Sequence, residues 1–502
     1  MGAEEHTASH AEVRIDPARQ REVVAALRAF MPEHAVLFRE EEARPYECDG
    51  LSAYRQLPMV VALPETEEQV ARVLRTCHAL EVPVVPRGAG TGLSGGALPS
   101  AEGVLLGMAK FNRILSVDPL ARTARVQPGV RNAAISEAAA RHRLYYAPDP
   151  SSQIACTIGG NIAENSGGLH CLKYGLTVHN VLRVRGYTVE GEPVEFGSEA
   201  LDSPGFDLLA LAIGSEGMLA VTVEATVKLV PKPEVARVIM ASFAEVETAG
   251  NAVADMIAAG IIPAGLEMMD RPATRAVEEF VHAGYDLEAA AILLCESDGT
   301  PAEVEEEIGR MKAVLSRSGA TQLKVSGSEA ERLKFWAGRK AAFPAVGRIS
   351  PDYYCMDGTI PKKRLGEMLG FIAEMERKYS LRCPNVFHAG DGNLHPLILF
   401  DANDPEELHR TEQFAAEVLE KCVAVGGTIT GEHGVGIEKI NQMCVQFGGK
   451  EIALFLALKQ AFDARGLLNP GKNIPTLHRC AEYGRMHVRS GKRQPFAELP
   501  RF

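Results

Sequence analysis

The sequence predicts a mixed α/β and α+β protein of two lobes, and three observations carry that prediction. Residues 59–88, MVVALPETEEQVARVLRTCHALEVPVVPRG, read as strand, helix and strand, a βαβ unit. From 88 onward glycine-rich loops alternate with short apolar strands. After PKP at 231–233, where two prolines punctuate the chain, strands and longer amphipathic helices alternate, as in an α+β layer domain. A prior of roughly 150 residues per domain suggests about three units for this length. The expected boundaries are a helical segment over 1–53, a first lobe over 54–233, a second over 234–478 and an extended tail over 479–502.

In chain order, PARQREVVAALRAF has the apolar spacing of a surface helix, and Thr66 is placed to cap the helix of the βαβ unit. GVLLGM, RTARVQPGV, RVRGYTVEGEPV and GMLAVTVEATVKLV supply the strands of the first lobe. In the second lobe ARVIMASF, GLEMM, AAAILLCES and TQLKVSG read as strands, with helices between them in AEVETAGNAVADMIAAG and PAEVEEEIGRMKAVLSRSG. KRLGEMLGFIAEMERKYS and PEELHRTEQFAAEVLEKCVAVG are further helices. They flank NVFHAGDGNLHPLILF, read as a hairpin closed by a type I′ turn at Asp391-Gly392.

Composition narrows the function. The net charge of −12, from 53 basic against 65 acidic residues, argues against nucleic acid as a partner. The start, MGAEEHTASH, is acidic and polar where a signal peptide is basic and then apolar, so a cytoplasmic location is expected. No apolar run approaches the length of a membrane span, which leaves membrane contact peripheral or through a partner. Ten cysteines without one C-x-x-C leave iron–sulfur clusters and zinc ribbons without ligands and read as reduced thiols. The 47 glycines exceed the roughly 35 expected from ordinary usage, so loops demand them.

GTGLSG at 90–95 matches the dinucleotide fingerprint, but that fold needs a helix to open there, and Pro99, Gly103 and Gly107 stand in the way. PRGAGTGLSGG instead suits a nest of backbone N–H groups around an anion. A second stretch, PDPSSQIACTIGGNIAENSGGLHCLKYGLT at 148–177, repeats the glycine pairs among small hydroxyl and amide side chains. Two such loops beside an α/β unit point to one phosphate-containing cofactor.

HAGDGNLHP at 388–396 and GEHGVG at 431–436 present three histidines and a carboxylate in glycine-framed segments. A helix through Gly390 and Gly392 costs about 1 kcal/mol for each glycine, so a hairpin that brings His388 and His395 together is favoured. A purely structural hairpin is the alternative. The set suits a divalent metal with an open position, and imidazole with carboxylate fits zinc, iron or manganese alike.

The two glycine stretches, with LAIGSEGMLAVTVEATVKLVPKP at 211–233, resemble the FAD-binding domain of the vanillyl-alcohol oxidase superfamily. WAGRKAAF, PDYYCMDGTIP, HAGDGNLHP, GEHGVGIEK and LLNPGKNIP extend the resemblance to the flavin-linked D-2-hydroxy-acid dehydrogenases. PYECDGLSAYR, RISPDYYCMDGTIP and IPTLHRCAEYGRMHV look most like its glycolate oxidase D-subunit branch.

The resemblance implies that Pro86, Arg87, Gly88, Ala89, Gly90, Thr91, Gly92, Leu93, Ser94 and Gly95 wrap the FAD pyrophosphate. It implies that Pro148, Asp149, Ser151, Thr157, Gly159, Gly160, Asn161, Ala163, Asn165, Gly167 and Gly168 line the flavin and its ribityl chain. Glu216 and Gly217 fall by the adenosine and Asn469 near the ring. Some relatives bind FAD through His or Cys in these loops. The first loop has neither, and although the second has Cys156 and Cys171, the expectation is noncovalent FAD.

The same resemblance makes His388, His395 and Glu432 the metal ligands, His433 the base and Arg339 the anchor for a substrate carboxylate, with Lys340 as its substitute. Arg339 on a solvated helix face is the alternative. It implies oxidation of glycolate to glyoxylate, and of D-lactate to pyruvate, with electrons leaving through a sister flavin subunit and an iron–sulfur subunit at the inner face of the cell membrane. A self-sufficient D-lactate or D-2-hydroxyglutarate dehydrogenase and a noncatalytic flavin scaffold are the competing readings.

Overall fold

The computed structural model describes residues 15–200 and 205–475. The expected tail over 479–502 and most of the IPTLHRCAEYGRMHV motif lie outside the described residues.

The βαβ unit forms as its sequence suggests. Val60–Ala62 and Val84–Arg87 both pair in parallel with Val104–Gly107, while Val36–Leu37 adds an antiparallel edge. Val60–Ala62 and Val104–Gly107 are buried throughout, as near-continuous apolar runs in a parallel sheet should be. Between the first two strands, Glu67–Ala79 is helical. It begins where Thr66 Oγ1 accepts from the Gln69 amide at 3.2 Å, and Val70, Val73, Leu74 and Cys77 face the core. A second sheet of five antiparallel strands runs in the order Ile114–Asp118, Thr123–Val126, Val221–Lys228, Val181–Tyr187 and Pro193–Gly197. GTGLSGG opens no helix; the next regular element is the strand at 104.

The second lobe is built on an antiparallel sheet ordered Gln322–Val325, Val235–Phe243, Ala291–Gly299, Gly265–Asp270 and Val386–Phe387. Strand alternation sends Ile239, Ala241 and Phe243 into one core with the helices Val246–Ala258, Pro301–Arg317, Leu365–Tyr379 and Pro405–Ala424. Val238 and Met240 enter another core with Arg271–Val281, Glu329–Lys340 and Ala342–Val346. Helices on both faces explain why these strands lack a polar side.

NVFHAGDGNLHPLILF does fold back, with bridges at His388↔Asn393 and Asn385↔Pro396. Its arms, however, belong to different sheets: Val386–Phe387 extends the five-stranded sheet, while Leu397–Phe400 pairs with Asp352–Cys355. The turn also departs from type I′, because Gly392 takes a positive φ of 83° and Asp391 does not. His388 and His395 therefore stand where two sheets separate.

The chain finally returns to the first lobe. Leu468 bridges Val84 in parallel, the Asn469 amide donates to the Val84 carbonyl at 2.7 Å, and Leu467 and Leu468 join the βαβ core.

Candidate functional site

A cavity of about 410 Å³ lies where the glycine loops of the first lobe meet the histidine loops of the second. Of the residues assigned to FAD, Pro86, Arg87, Gly88, Ala89, Gly90, Thr91, Gly92 and Leu93 line it from one side. Ser151, Thr157, Gly159, Gly160, Asn161, Ala163, Glu216 and Gly217 line it from another. His395, Glu432 and His433 close it on the second lobe, with Lys340, Phe343, Pro344 and Tyr353 beside them.

The loops need their glycines here. A Cβ on Gly88 would lie 2.5 Å from Thr157 Oγ1, and Gly90, at φ +71°, turns over the Arg87 guanidinium, which donates to the Cys48 carbonyl at 2.7 Å. Thr157 Oγ1 and Asn161 Nδ2 are buried along this wall without a hydrogen-bond partner among the described residues, as is Glu164 Oε2. Buried polar groups are rarely left so, and a cradle of backbone with unpaired donors is what a polar, phosphate-bearing cofactor would complete. The residues present thus fit FAD.

The remaining assigned positions stand behind this wall. Ser94 accepts from the Ile437 and Glu438 amides through its carbonyl, and Gly95 packs on Ile437. The Pro148 carbonyl accepts from Asn132, and Asp149 holds His170. Asn165, at φ 56°, ends the helix Ile158–Glu164 and accepts from the Val178 amide, while Gly168 lies on the Asp149 backbone. Gly167 is where the second loop touches the histidine site: a Cβ there would come within 2.7 Å of Glu432 Oε2. Glu216 also accepts from the Val435 and Gly436 amides at 2.7 Å each, and Asn469 donates to the Glu216 carbonyl. The Val435 and Gly436 bonds to the Glu216 carboxylate join the GVG turn to the first lobe.

The three metal-ligand candidates do come together. His395 Nε2 is 2.9 Å and His388 Nε2 3.2 Å from the same oxygen of Glu432, and the two rings stand edge to face at 4.9 Å. Each imidazole is fixed from behind through Nδ1, His388 by Glu267 at 2.8 Å and His395 by the Met356 carbonyl at 2.9 Å. Both Nε2 atoms are thereby directed at one point, the arrangement in which histidines serve as metal ligands. Burial works against charge on these rings. Even so, Glu267 and Glu432 hold His388 well above its usual range, and Cys355 and Glu432 raise His395 to about 10. Burial likewise opposes the charge on Glu432, yet His388 holds it well below the carboxylate range. A divalent cation supplies the positive charge that two imidazolium protons supply in its absence, so the donor set fits one.

The loop that carries Glu432 and His433 is organised by Asp357. Its carboxylate accepts from the amides of Gly431, Glu432 and His433 at 2.9–3.1 Å and from Lys439 Nζ at 3.3 Å. Burial opposes this charge, but the positive groups around it hold Asp357 far below the carboxylate range. His433 stacks on His395 with ring centroids 5.0 Å apart. Burial pushes its imidazole down to about 4, against the pull of Asp357, and its Nδ1 has no partner among the described residues. A neutral imidazole facing the cavity is able to take a proton.

Arg339 is 2% exposed, so it is not on a solvated face. Its Nε donates to Glu267 at 2.8 Å, and Nη2 forms an ion pair with the same oxygen at 2.7 Å and lies 3.5 Å from His388 Nδ1. It stands behind the histidines, whereas Lys340 stands at the cavity. Sequence reasoning missed Glu267 and Lys439. Both carried a signal, a charge inside an otherwise apolar stretch, in GLEMM and GVGIEKI.

Comparison with known proteins places the chain in a family. Residues 58–197 match the family described as FAD binding domain, and residues 232–473 match FAD linked oxidases, C-terminal domain. The chain is 64% identical over 480 residues to glycolate oxidase subunit GlcD of Escherichia coli (strain K12), covering 96% of each chain. It is 31% identical to a D-lactate dehydrogenase of Anaerostipes hadrus, covering 90% of this chain and 97% of that one. Among solved structures, p-cresol methylhydroxylase superposes with a TM-score of 0.78 at 15% identity, over 92% of this chain and 98% of that one. Alkyldihydroxyacetonephosphate synthase superposes at 0.71 with 18% identity, over 90% and 86%. With a vanillyl-alcohol-oxidase-type fold, a cavity built for a phosphate-bearing cofactor and relatives of this closeness, the chain belongs to the FAD-linked 2-hydroxy-acid oxidoreductase family that includes the GlcD subunits.

Proposed function

We propose that this protein oxidises glycolate to glyoxylate, and D-lactate to pyruvate, as the catalytic subunit of a larger glycolate-oxidising assembly. The observation that carries the proposal is one cavity shared by the glycine loops and by His395, Glu432 and His433. FAD, when bound, supplies the acceptor for the hydride that leaves the substrate carbon. The amides of 88–93 meet its phosphates, and Thr157 and Asn161 bring their unpaired donors to it. His388, His395 and Glu432 would hold a divalent metal, which would lower the pKa of the substrate hydroxyl. His433, unprotonated, receives the hydroxyl proton, for which it must lie within about 3 Å of that group. Lys340, at the cavity wall, is the cation placed to meet the substrate carboxylate, while Arg339, expected from the resemblance as the anchor, stands behind the histidines and lends its charge from there.

No ligand set for an iron–sulfur cluster is present in the sequence, so the electrons pass to partners, a sister flavin subunit and an iron–sulfur subunit. Membrane contact is assigned to these partners, as no described helix is long and apolar enough to cross a membrane.

The test is anaerobic mixing of the purified, FAD-loaded protein with glycolate, each lactate enantiomer and D-2-hydroxyglutarate, followed by flavin absorbance. Bleaching by glycolate is expected; a flavin that stays oxidised with all four overturns the proposal. His433→Ala is expected to slow bleaching by about 10²–10⁴-fold with FAD content unchanged.

A further inference from the structure

We propose that Glu267 is a positioning residue that aims a metal ligand, His388, and holds the Arg339 guanidinium behind it, with a single side chain. This rests on the metal role proposed above.

Glu267 lies in the strand Gly265–Asp270, whose neighbours Leu266 and Met268 enter the apolar core. It is 1% exposed. A carboxylate is retained at such a place only when its charge is met by good partners. Oε1 lies 2.8 Å from His388 Nδ1, and Oε2 lies 3.0 Å from the same nitrogen, accepts from Arg339 Nε at 2.8 Å and forms an ion pair with Nη2 at 2.7 Å. On the histidine side this keeps the proton on Nδ1 and leaves the Nε2 lone pair for the site that Glu432 shares. On the arginine side it occupies the Nε–Nη2 edge of the guanidinium.

Without Glu267 both ends change together. Arg339 Nη2 is only 3.5 Å from His388 Nδ1, so an unpaired guanidinium would repel a cation bound by that ring. Arg339 would also lose the carboxylate oxygen that both its Nε and Nη2 face. A carboxylate that only filled space in the strand would couple neither event.

The experiment uses full-length, FAD-loaded wild type, Glu267→Gln and Glu267→Asp, stripped with a chelator and titrated with Zn²⁺ against a chromophoric competitor. Glu267→Gln is expected to bind Zn²⁺ 10–100-fold more weakly, with Glu267→Asp between it and the wild type and FAD content unchanged in both. At saturating Zn²⁺ the KM for glycolate is expected to stay raised in Glu267→Gln, because Arg339 is still unanchored. Wild-type Zn²⁺ affinity in Glu267→Gln overturns the inference and leaves the metal site standing. A wild type that binds neither Zn²⁺ nor Mn²⁺ yet reduces its flavin overturns the metal site and the role of Glu267 with it. Should Glu267→Gln fail to fold, wild-type affinity and KM in Glu267→Asp overturn the inference, and a graded loss supports it.

Discussion

The two walls of the cavity treat their polar groups in opposite ways. On the first-lobe wall Thr157 Oγ1, Asn161 Nδ2 and Glu164 Oε2 are buried and unpartnered. On the second-lobe wall His388, His395, Glu432 and Arg339 each have charged or carbonyl partners, and only His433 Nδ1 among these groups is left open. One wall is completed by what binds to it; the other is completed by the protein and keeps a single basic nitrogen free. The difference teaches where binding energy and where folding energy are stored.

Mutations should separate the walls by sign and size. Asp357→Ala strikes the internally completed wall hardest, because it leaves Lys439 buried and the Gly431–His433 amides without their acceptor. A loss of about 3–5 kcal/mol is expected in chemical denaturation, together with lost flavin reduction. A loss under 1 kcal/mol would show that the loop is held by something else.

Next in size is the contact between the lobes at His170, held by Asp149 at 2.7 Å on one side and Glu296 at 3.2 Å on the other. Burial opposes its charge, yet these two carboxylates hold it well above the usual histidine value, while Arg332 and Trp336 also donate to Glu296. A raised histidine contributes stability that is complete below its unfolded pKa of about 6.5 and is lost as pH rises through the folded value. The wild-type thermal midpoint should therefore fall on raising the pH from about 6.5. His170→Gln should flatten that dependence and cost about 1.5–3 kcal/mol at neutral pH. A parallel pH profile in the variant would remove His170 as the cause. Emission from Trp336, whose ring is 6.0 Å from His170, reports the same contact.

The smallest effect, on the cofactor wall, should have opposite signs in the two states. Thr157→Val removes a hydroxyl that has no partner before FAD binds. Stability without FAD should stay level or rise, while FAD affinity falls about tenfold, near 1.4 kcal/mol. Equal losses in both states would mean that the hydroxyl is structural.

Much of this was legible in the residues. The βαβ unit, the N-cap at Thr66 and the failure of GTGLSG as a dinucleotide fingerprint follow from local periodicity and backbone restriction, which need no distant partner. The hairpin at 386–400 was readable as a reversal, but not as two arms in two sheets, since pairing across distant strands leaves no local mark. Arg339 was named by resemblance alone, as a carboxylate anchor, and its burial and engagement with Glu267, 72 residues away, left no mark in the local sequence.

The sequence by itself determined the elements, the glycine cradles and the identity of the chemical groups, because each depends on a few neighbouring residues. Only the tertiary structure decided which carboxylate faces which cation: that Asp357 gathers the GEHG amides, that Glu267 serves His388 and Arg339 together, and that Glu432 meets both His388 and His395. Such pairings arise when segments far apart in sequence are buried side by side, where an unmatched charge is costly and each must find its counterpart in space.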